Sequence, residues 1–496
     1  MEPCDLSASQ ARRLIGTKRL SPVELAQSCI ARVEAVNPAV NALVSLDFDR
    51  LNEAAREAER QVQAGEPLGA LHGLPLAVKD MVDVAGLPTT YGSPAYADNV
   101  ARADDPMVAQ LRSAGAIVMS KSNNPEWSAG GNTRNAVFGA TGNPFDPSRS
   151  AAGSSGGSAA ALACGMIPLA TGSDTGGSLR NPAAFCGVVG FRPSPGVVPG
   201  HGRGMALLPL STSGPMARCV EDVGLMLSQM IRPDRRDPWV SVVEGRGHYQ
   251  GEAFTRLPNV DLCSARIAVT HDFGFALTER RMRATFDAKL ARFSSVFARV
   301  EQTHPDCAGA DDTFAVLRAL LFSGPHRRLL ESRPELVGPN IRANIEEAAR
   351  YDAFDVVRAL EQQTTLYRGW QRFFDDHDFI LAPAVTIAPR DWHELYPTEI
   401  DGQPTESYYH WLGMAYASTL AGHPSISLPL GVDEQGLPFG LQIIGRRGED
   451  LATLGFAQAL ERLCAGDSEL AAPRPDIAAL ARAPRLSESA DFYGFG

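Results

Sequence analysis

The sequence lacks several features that would point to a secreted, membrane-bound or metal-dependent protein. It has no uninterrupted apolar run of about 18 residues, so no transmembrane helix is expected. The first residues, Met1–Asp5, contain no apolar core of the kind that secretory signals carry. The eight cysteines are scattered without a Cys-x-x-Cys pair, which argues against a disulfide framework and a zinc site. A reduced, cytoplasmic protein without membrane contact is therefore expected.

Positive charge is also in deficit. Lysine and arginine together number 46, against 57 aspartate and glutamate residues, which gives a net charge of −11. This balance disfavours nucleic acids and anionic membranes as partners. Hydrophobic residues make up 44% of the 496 positions, enough for a large core. The composition therefore indicates a globular protein that does not bind polyanions.

Predicted strands and helices alternate through the N-terminal half. The apolar run 74–78 predicts a buried strand, 106–114 has a helical pattern, and 116–120 predicts the next strand. Elements predicted further along are strands at 188–191, 265–270, 379–382, 425–430 and 439–444, and one long helix at 279–300. Alternation of this kind predicts an α/β layered fold.

The stretch from Ala151 to Arg180 contains two clusters of glycine and serine on either side of a short apolar segment. Between them the pattern predicts a helix over 159–164 and a buried strand over 167–171, which a flexible linker would not contain. The segment 174–178 then turns sharply, and its glycines allow backbone N–H groups to converge on one point. A serine hydroxyl beside converging amides supplies what acyl transfer needs, namely a nucleophile and donors for an oxyanion.

Three motifs in this part of the chain resemble those of the amidase signature family. They are His-Gly-Leu-Pro-Leu-Ala-Val-Lys-Asp at 72–80, Gly-Ser-Ser-Gly-Gly-Ser at 153–158, and Gly-Ser-Asp-Thr-Gly-Gly-Ser at 172–178. Ser154 and Ser178 lie 24 positions apart, as they do in that family. Three motifs in the same order are far more specific than any one of them.

The resemblance implies a serine–serine–lysine amidohydrolase that needs no metal and no organic cofactor. Ser178 is the implied nucleophile, and Ser154, which would follow a cis peptide bond from Gly153, relays its proton to Lys79. A lysine can act as a base when burial keeps it neutral, and Lys79 ends an apolar run. The backbone amides expected to hold the oxyanion are those of Thr175, Gly176, Gly177 and Ser178. The residues expected to support these loops are Ser155, Asp174 and Arg180.

A competing motif starts at the same glycine. Residues 153–157 also satisfy Gly-x-Ser-x-Gly, in which Ser155 would be the nucleophile of a strand–turn–helix elbow. Such an elbow follows a central strand, whereas Pro144 and Pro147 interrupt the residues before Ser155. His423 lies late enough in the chain to be the histidine of a triad, although a loop position beside Gly422 is the simpler interpretation.

The substrate is less well defined than the reaction. Members of the family accept primary amides, aryl amides, fatty-acid amides, carbamates and ureas. Five aromatic residues are concentrated between 392 and 421, and they either line an apolar or aryl pocket or pack a helix: Tyr396, Tyr408, Tyr409, Trp411 and Tyr416. In the loop 124–131, Ser128 is a candidate to contact the substrate.

The resemblance also implies a fold and a domain organisation. The expected fold is a single α/β/α sandwich around a large mixed β-sheet, formed by one domain over residues 1–472. Its expected parts are a mainly helical segment at 1–65, the signature core at 70–220, a variable pocket region at 235–420 and a return to the core at 420–465. Residues 473–496 are predicted to form a surface tail.

The implied function is hydrolysis of carboxamide C–N bonds through a seryl acyl-enzyme. A small, aryl or apolar amide is the expected substrate, with esters and carbamates left open. The alternative is the A subunit of a glutamyl-tRNA amidotransferase, which shares the triad and works in a heteromeric complex. The sequence also leaves open whether the protein forms a homodimer.

Overall fold

The computed structural model describes residues 2–493, and an 11-stranded mixed β-sheet lies at its centre with helices around it. The strands of this sheet are β1 Leu43–Val44, β2 Pro75–Lys79, β3 Ile117–Ser122, β4 Leu169–Asp174, β5 Val189–Arg192, β6 Thr212–Ala217, β7 Arg266–Val269, β8 Arg299–Gln302, β9 Phe379–Pro383, β10 Ser425–Val432 and β11 Pro438–Ile444. The α-helices are α1 Ala8–Gly16, α2 Pro22–Val40, α3 Phe48–Ala64, α4 Pro106–Ser113, α5 Gly156–Ala163, α6 Arg180–Cys186, α7 Val220–Met230, α8 Arg280–Phe293, α9 Ala310–Ser332, α10 Pro339–Ala348, α11 Ala353–Asp376, α12 Gly413–Ala421, α13 Asp450–Cys464 and α14 Ile477–Leu480.

The order of strands across the sheet is β1-β3-β2-β4-β6-β5-β10-β11-β9-β7-β8. Strand β2 pairs in parallel with β3 and β4, and β7 pairs in parallel with β8 and β9. The strands between β4 and β9 pair antiparallel. The α/β class and the large mixed sheet predicted from the sequence are therefore confirmed. The late strands β10 and β11 lie in the middle of the sheet, between the signature core and the strands of residues 266–383.

Local sequence signals account for the start and end of several elements. Helix α2 begins with a capping box, in which the Ser21 hydroxyl accepts the N–H of Glu24 and the Glu24 carboxylate accepts the N–H of Ser21. Pro22 occupies the first helical position, where no N–H is needed. The helix ends at Asn41, which has a positive φ of 48°.

Two predictions for the secondary structure needed correction. The single helix expected over 279–300 is wrong, because α8 ends at Phe293 and Arg299–Gln302 forms the strand β8. All four residues of β8 are exposed and most are polar, so its sequence resembles a solvated helix face. Strand β6 was not predicted, and it contains Gly214 and Pro215, which are uncommon inside strands. A Cβ at Gly214 would lie 2.3 Å from the Phe191 carbonyl oxygen, so only glycine fits there.

The residues after Ala472, which we predicted to form a surface tail, contribute buried side chains. Leu480, Leu486 and Phe492 are each at most 5% exposed. Leu486 and Phe492 pack with Trp392 and Ala140 in a small apolar cluster. This last part of the chain, up to residue 493, therefore covers the short ribbons that precede α5.

No helix within residues 2–493 is long and apolar enough to cross a membrane. All eight cysteines are free thiols, and six of them are buried. Across the same residues, no cluster of three or more His, Cys, Asp or Glu side chains could hold a metal ion.

Candidate active site

The ends of two parallel strands bring the predicted site residues together. Lys79 is the last residue of β2, and β4 ends at Asp174. The two strands are in register at Ala77 and Ala170, and the Lys79 N–H donates to the Thr171 hydroxyl at 2.9 Å. Because parallel strands end at the same edge of a sheet, the Lys79 side chain reaches the Gly/Ser loops that follow β4 and precede α5.

The Lys79 ammonium group lies among hydroxyl groups in a buried position. Its Nζ atom donates to Ser154 Oγ at 2.7 Å and to Ser173 Oγ at 3.0 Å. The residue is fully buried, and among residues 2–493 no carboxylate lies within ion-pair distance of it. Burial lowers the pKa of Lys79 to about 7, although the negative charge of Asp174 partly opposes this shift. A lysine of this kind is substantially neutral at physiological pH.

The two serines of the predicted triad differ in exposure. Ser154 follows a cis peptide bond from Gly153 and is 1% exposed. Ser178 is half-buried and lies two residues before the start of α6. The N–H of Ser155 donates to the Ser178 carbonyl oxygen at 3.3 Å, which ties the two loops together. Of the three triad side chains, that of Ser178 is therefore the one nearest to solvent.

In the loop 175–178, three backbone N–H groups donate to no other group among the described residues. Gly177 has a φ of +101°, a conformation that side chains disfavour, and a Cβ there would lie 2.5 Å from Ala415. Its N–H, which we expected to face an oxyanion, donates instead to Asp174 Oδ1 at 2.9 Å. The amides of Thr175, Gly176 and Ser178 donate to no group among the described residues. These three amides remain as candidate oxyanion donors.

A buried cluster of charged side chains holds this loop in its conformation. Asp174 accepts two hydrogen bonds from Arg180, at 3.0 and 2.9 Å, and contacts Arg192 at 3.3 Å. All three residues are fully buried. Burial alone would raise the pKa of Asp174, but the two guanidinium groups hold it well below its usual value. Asp174 is therefore a permanent anion that orients the loop.

Arg180 joins that cluster to the C-terminal part of the chain. Its Nη1 atom donates to the Ala415 carbonyl oxygen at 2.9 Å, to Ser418 Oγ at 2.8 Å and to Gln442 Oε1 at 2.7 Å. Helix α12 and strand β11 thus hold the same arginine that binds Asp174. Asp174 and Arg180 contact one another and the loop, as the sequence predicts for supporting residues.

The surroundings of Ser155 disfavour the elbow interpretation. The strand before it, Asp146–Ser150, belongs to a two-stranded ribbon outside the main sheet. Ser155 is fully buried, and its Oγ accepts the Ser173 N–H at 3.4 Å. His423 contacts the Gly445 carbonyl oxygen and Gln371. Burial lowers the pKa of His423 to about 3. In the structure these two residues make no contact with each other.

Comparison with known proteins shows which family the chain belongs to. The sequence profile of the amidase family matches residues 24–454, which is most of the chain. The chain belongs to the amidase family. This amidase is 34% identical to an acylamidase from Rhodococcus erythropolis, over 92% of its own chain and 95% of the relative. It is 32% identical to the A subunit of the glutamyl-tRNA(Gln) amidotransferase from Symbiobacterium thermophilum, over 92% and 96% of the two chains.

A solved structure of a bacterial aryl acylamidase, described as a member of the amidase signature enzymes, has the same fold. It superposes on this amidase with a TM-score of 0.85 at 29% identity, and covers 92% of this chain and 96% of the other. The amidase signature membership suggested by the three motifs is therefore confirmed, and the protein is an amide-hydrolysing enzyme.

Two side chains that the sequence motifs do not mark, those of Phe314 and Leu412, lie beside Gly176. A Cβ built on Gly176 would lie 3.0 Å from Phe314 Cζ and 3.7 Å from Leu412 Cδ1. Phe314 stacks on Tyr416 with ring centroids 4.2 Å apart. In the sequence, Phe314 is only one apolar residue of a long helical segment, and no local motif singles it out. An aromatic residue therefore does lie beside the predicted oxyanion loop. It is Phe314 of α9, and it is not one of the five aromatic residues noted between 392 and 421.

The loop with Ser128 lies beside the loop that contains Ser154. Trp127 and Ser128 have positive φ values of 50° and 56°, which are uncommon for residues with side chains. Ser128 Oγ has no hydrogen-bond partner within residues 2–493. A Cβ on Gly153 would lie 2.9 Å from the Gly130 carbonyl oxygen, so this loop passes next to the Gly153–Ser154 peptide. Ser128 stays a predicted substrate contact.

Ser173 is a second residue that the sequence did not single out. It is half-buried, and its hydroxyl accepts the second hydrogen bond from Lys79. The sequence feature that could have identified Ser173 is its position inside the Gly-Ser-Asp-Thr-Gly-Gly-Ser motif. Alternation along β4 predicts that the side chains of Ser173 and Thr171 point to the same side of the sheet, and both contact Lys79.

Proposed function

We propose that this amidase cleaves carboxamides through an acyl-enzyme on Ser178, with Lys79 as the general base and Ser154 as the proton relay. The observation that carries the proposal is the 2.7 Å contact between Lys79 Nζ and Ser154 Oγ in a fully buried position. A hydroxyl is a weak nucleophile unless a neighbouring base removes its proton. A neutral lysine meets that need, since its pKa is lowered to about 7.

The proposed reaction begins when Ser178 Oγ attacks the amide carbonyl carbon. Its proton passes to Ser154, and the Ser154 proton passes to the lone pair of Lys79. The developing oxyanion is stabilised by backbone N–H donors, for which the amides of Thr175, Gly176 and Ser178 are proposed. Gly177 is proposed to act through Asp174, because its N–H already donates to that carboxylate.

Collapse of the tetrahedral intermediate breaks the C–N bond. The proton held by Lys79 returns through Ser154 to the leaving nitrogen, and an amine or ammonia departs. Water then attacks the Ser178 ester with the same relay acting as base, and the carboxylic acid is released. Lysine, unlike arginine, can both accept and return this proton.

We propose an aryl or apolar amide as the substrate. Phe314 and Leu412 support this choice, because they lie beside Gly176, where the group attached to the scissile carbonyl would pack. Similarity to an acylamidase and to an aryl acylamidase gives further support.

The purified chain alone is expected to hydrolyse such amides. The measurement is amine release from anilides of short and aromatic acids, with glutamine as the comparison substrate. The second candidate function is that of an amidotransferase A subunit, which the 32% identity to such a protein favours. That alternative predicts no anilide turnover and glutamine hydrolysis that appears only with partner subunits.

Replacing Ser154 by alanine is expected to lower kcat by about 10²–10³-fold, with a smaller change in KM, because a proton relay acts in the transition state. Steady-state kinetics on one anilide measure both constants. Ser155→Ala is the comparison variant, since it keeps Ser154 and Ser178, and the hydrogen bond that Ser155 Oγ makes among the described residues is with the Ser173 N–H. A Ser154→Ala rate within tenfold of the wild type would remove Ser154 from the mechanism.

A further inference from the structure

Arg318 on α9 is a buried cation with no carboxylate of the described residues in direct contact; the half-buried Glu347, which accepts from the Tyr409 hydroxyl, acts on its charge from farther away. The residue is 3% exposed, and among residues 2–493 no Asp or Glu side chain lies within ion-pair distance of its guanidinium group. Its Nη1 atom donates to Asn344 Oδ1, whereas its Nη2 atom has no hydrogen-bond partner there. An unpaired buried donor is costly, and a buried charge costs more. This arrangement needs an explanation beyond packing.

Three aromatic rings pack against the guanidinium group. Their faces do not accept hydrogen bonds from its N–H groups, which point outward in the plane of the group. The Cζ atom of Arg318 lies 4.2 Å from the ring centroid of Tyr408 and 4.2 Å from that of Tyr409. Phe322 lies on a third side at 5.1 Å. Cation–π contacts of this kind stabilise the charge, but a ring face is no substitute for an oxygen acceptor. Burial lowers the pKa of Arg318 to about 9, so the group is still a cation at neutral pH.

Arg318 belongs to the helix face that adjoins the proposed oxyanion loop. Phe314 and Arg318 are four residues apart on α9, so their side chains lie on the same face about one turn, or roughly 6 Å, apart. Phe314 is the residue whose ring lies beside Gly176. Tyr409 contacts both side chains, since its ring centroid is 5.8 Å from that of Phe314. Phe314 is fully buried, and Tyr409 therefore connects the ring beside Gly176 with the guanidinium group of Arg318.

The loop with Ser128 is connected to the same guanidinium group by a series of hydrogen bonds. Asn344, which accepts from Arg318, also donates to the Asn340 carbonyl oxygen. Asn340 Nδ2 in turn donates to the Ala129 carbonyl oxygen at 2.8 Å. The next residue, Gly130, is the one that passes beside Gly153. A series of hydrogen bonds thus connects Arg318 with the loop that passes beside Gly153.

We propose that Arg318 is a substrate-binding residue, and that the amides this enzyme prefers carry a carboxylate about one helical turn from the scissile carbonyl. A carboxylate is the ligand that matches a guanidinium group in shape and charge. The apolar part of the substrate would pack on Phe314, and its carboxylate would accept from Nη2 of Arg318. This inference rests on the proposed function, because it defines the substrate of the same serine site.

The test compares substrates that differ only in the charged group. The first pair places the carboxylate on the acyl side, with the mono-4-nitroanilide of glutaric acid against pentanoyl 4-nitroanilide. The second pair places it on the amine side, with 4-(pentanoylamino)benzoate against pentanoyl anilide. We expect wild-type kcat/KM to favour the carboxylate in one pair by at least about tenfold, mainly through KM, as for a charge-assisted hydrogen bond.

Variants then separate a binding role from a structural role. Arg318→Met is expected to remove the preference for the carboxylate, with a larger loss of kcat/KM on the charged member of the pair than on the neutral one, because the contacts with Asn344 and the rings are lost for both substrates and the charged contact for one. Arg318→Lys should keep part of the preference. Arg327→Met is the matched control, because Arg327 is an exposed arginine of the same helix that pairs with Glu331. It should leave both rates unchanged.

Three results would overturn the inference. The first is a wild-type enzyme that hydrolyses the neutral amides but prefers neither carboxylate. That result would contradict the role of Arg318 and would leave the proposed function intact. Equal losses on charged and neutral substrates in Arg318→Met would assign the residue a structural role. No hydrolysis of any amide by the wild type would remove the proposed function and this inference with it. If Arg318→Met does not fold, the wild-type ratios and Arg318→Lys decide.

Discussion

Alanine at position 178 is expected to abolish amide hydrolysis, with a loss of at least about 10⁴-fold in kcat, because it removes the attacking oxygen. The same change should prevent covalent labelling by a fluorophosphonate, which reacts with activated serines. Labelling followed by intact-mass measurement detects both outcomes. Thermal stability should change little, since Ser178 is half-buried and its hydroxyl makes no hydrogen bond among the described residues.

The control for this experiment is Ser155→Ala, which keeps Ser178. It should still be labelled at position 178, as peptide mapping of the adduct can verify. A label that persists in Ser178→Ala and is lost in Ser155→Ala would establish the elbow interpretation. The triad proposed here would then be incorrect.

Lys79→Arg is expected to be nearly inactive, with a loss of about 10³-fold or more on amides, since an arginine stays charged and cannot accept a proton. In the wild type, the burial that lowers the pKa of Lys79 to about 7 sets the pH dependence. Below that pH the lysine is protonated and cannot act as a base, so kcat/KM should fall as pH decreases. Above it the rate should level off. Because the three groups are coupled, the midpoint belongs to the triad as a unit.

Esters provide a sharper test of the same lysine. An alkoxide departs with less help from a proton donor than an amine does, so Lys79→Ala should spare ester turnover more than amide turnover. Lys18→Arg, the same substitution at an exposed lysine, is the matched control for Lys79→Arg and should leave the profile unchanged. An acid limb that survives in Lys79→Arg and disappears in a histidine variant would move the base to histidine.

The chemistry of this site was more predictable than its shape. Lys79, Ser154 and Ser178 lie in short motifs whose residue types suit the proposed reaction, so they could be predicted from the local sequence. The supporting pair of Asp174 and Arg180 lies in or directly beside the same motifs. The structure brings Lys79 into contact with Ser154 and unites both loops by backbone hydrogen bonds.

The residues proposed to bind the substrate could not be predicted from local motifs. Phe314 and Arg318 come from a helix whose sequence contains only ordinary helical periodicity, and their function depends on which loop they face. That contact joins residues more than a hundred positions apart, so no local pattern encodes it. The Gly177 amide is a similar case. Its sequence position suggests an oxyanion donor, and only the conformation of the loop directs it to Asp174.

The position of the late strands has a consequence for how the enzyme is made. Arg180 takes partners from α12 and β11, and β5 pairs with β10. A chain whose synthesis has reached only the end of the signature core therefore contains Lys79, Ser154 and Ser178, but not the groups of α12 and β11 that bind Arg180. Strand β5 would meanwhile present an open edge. We therefore expect chains that end before Ile444 to contain the three proposed triad residues and to be inactive.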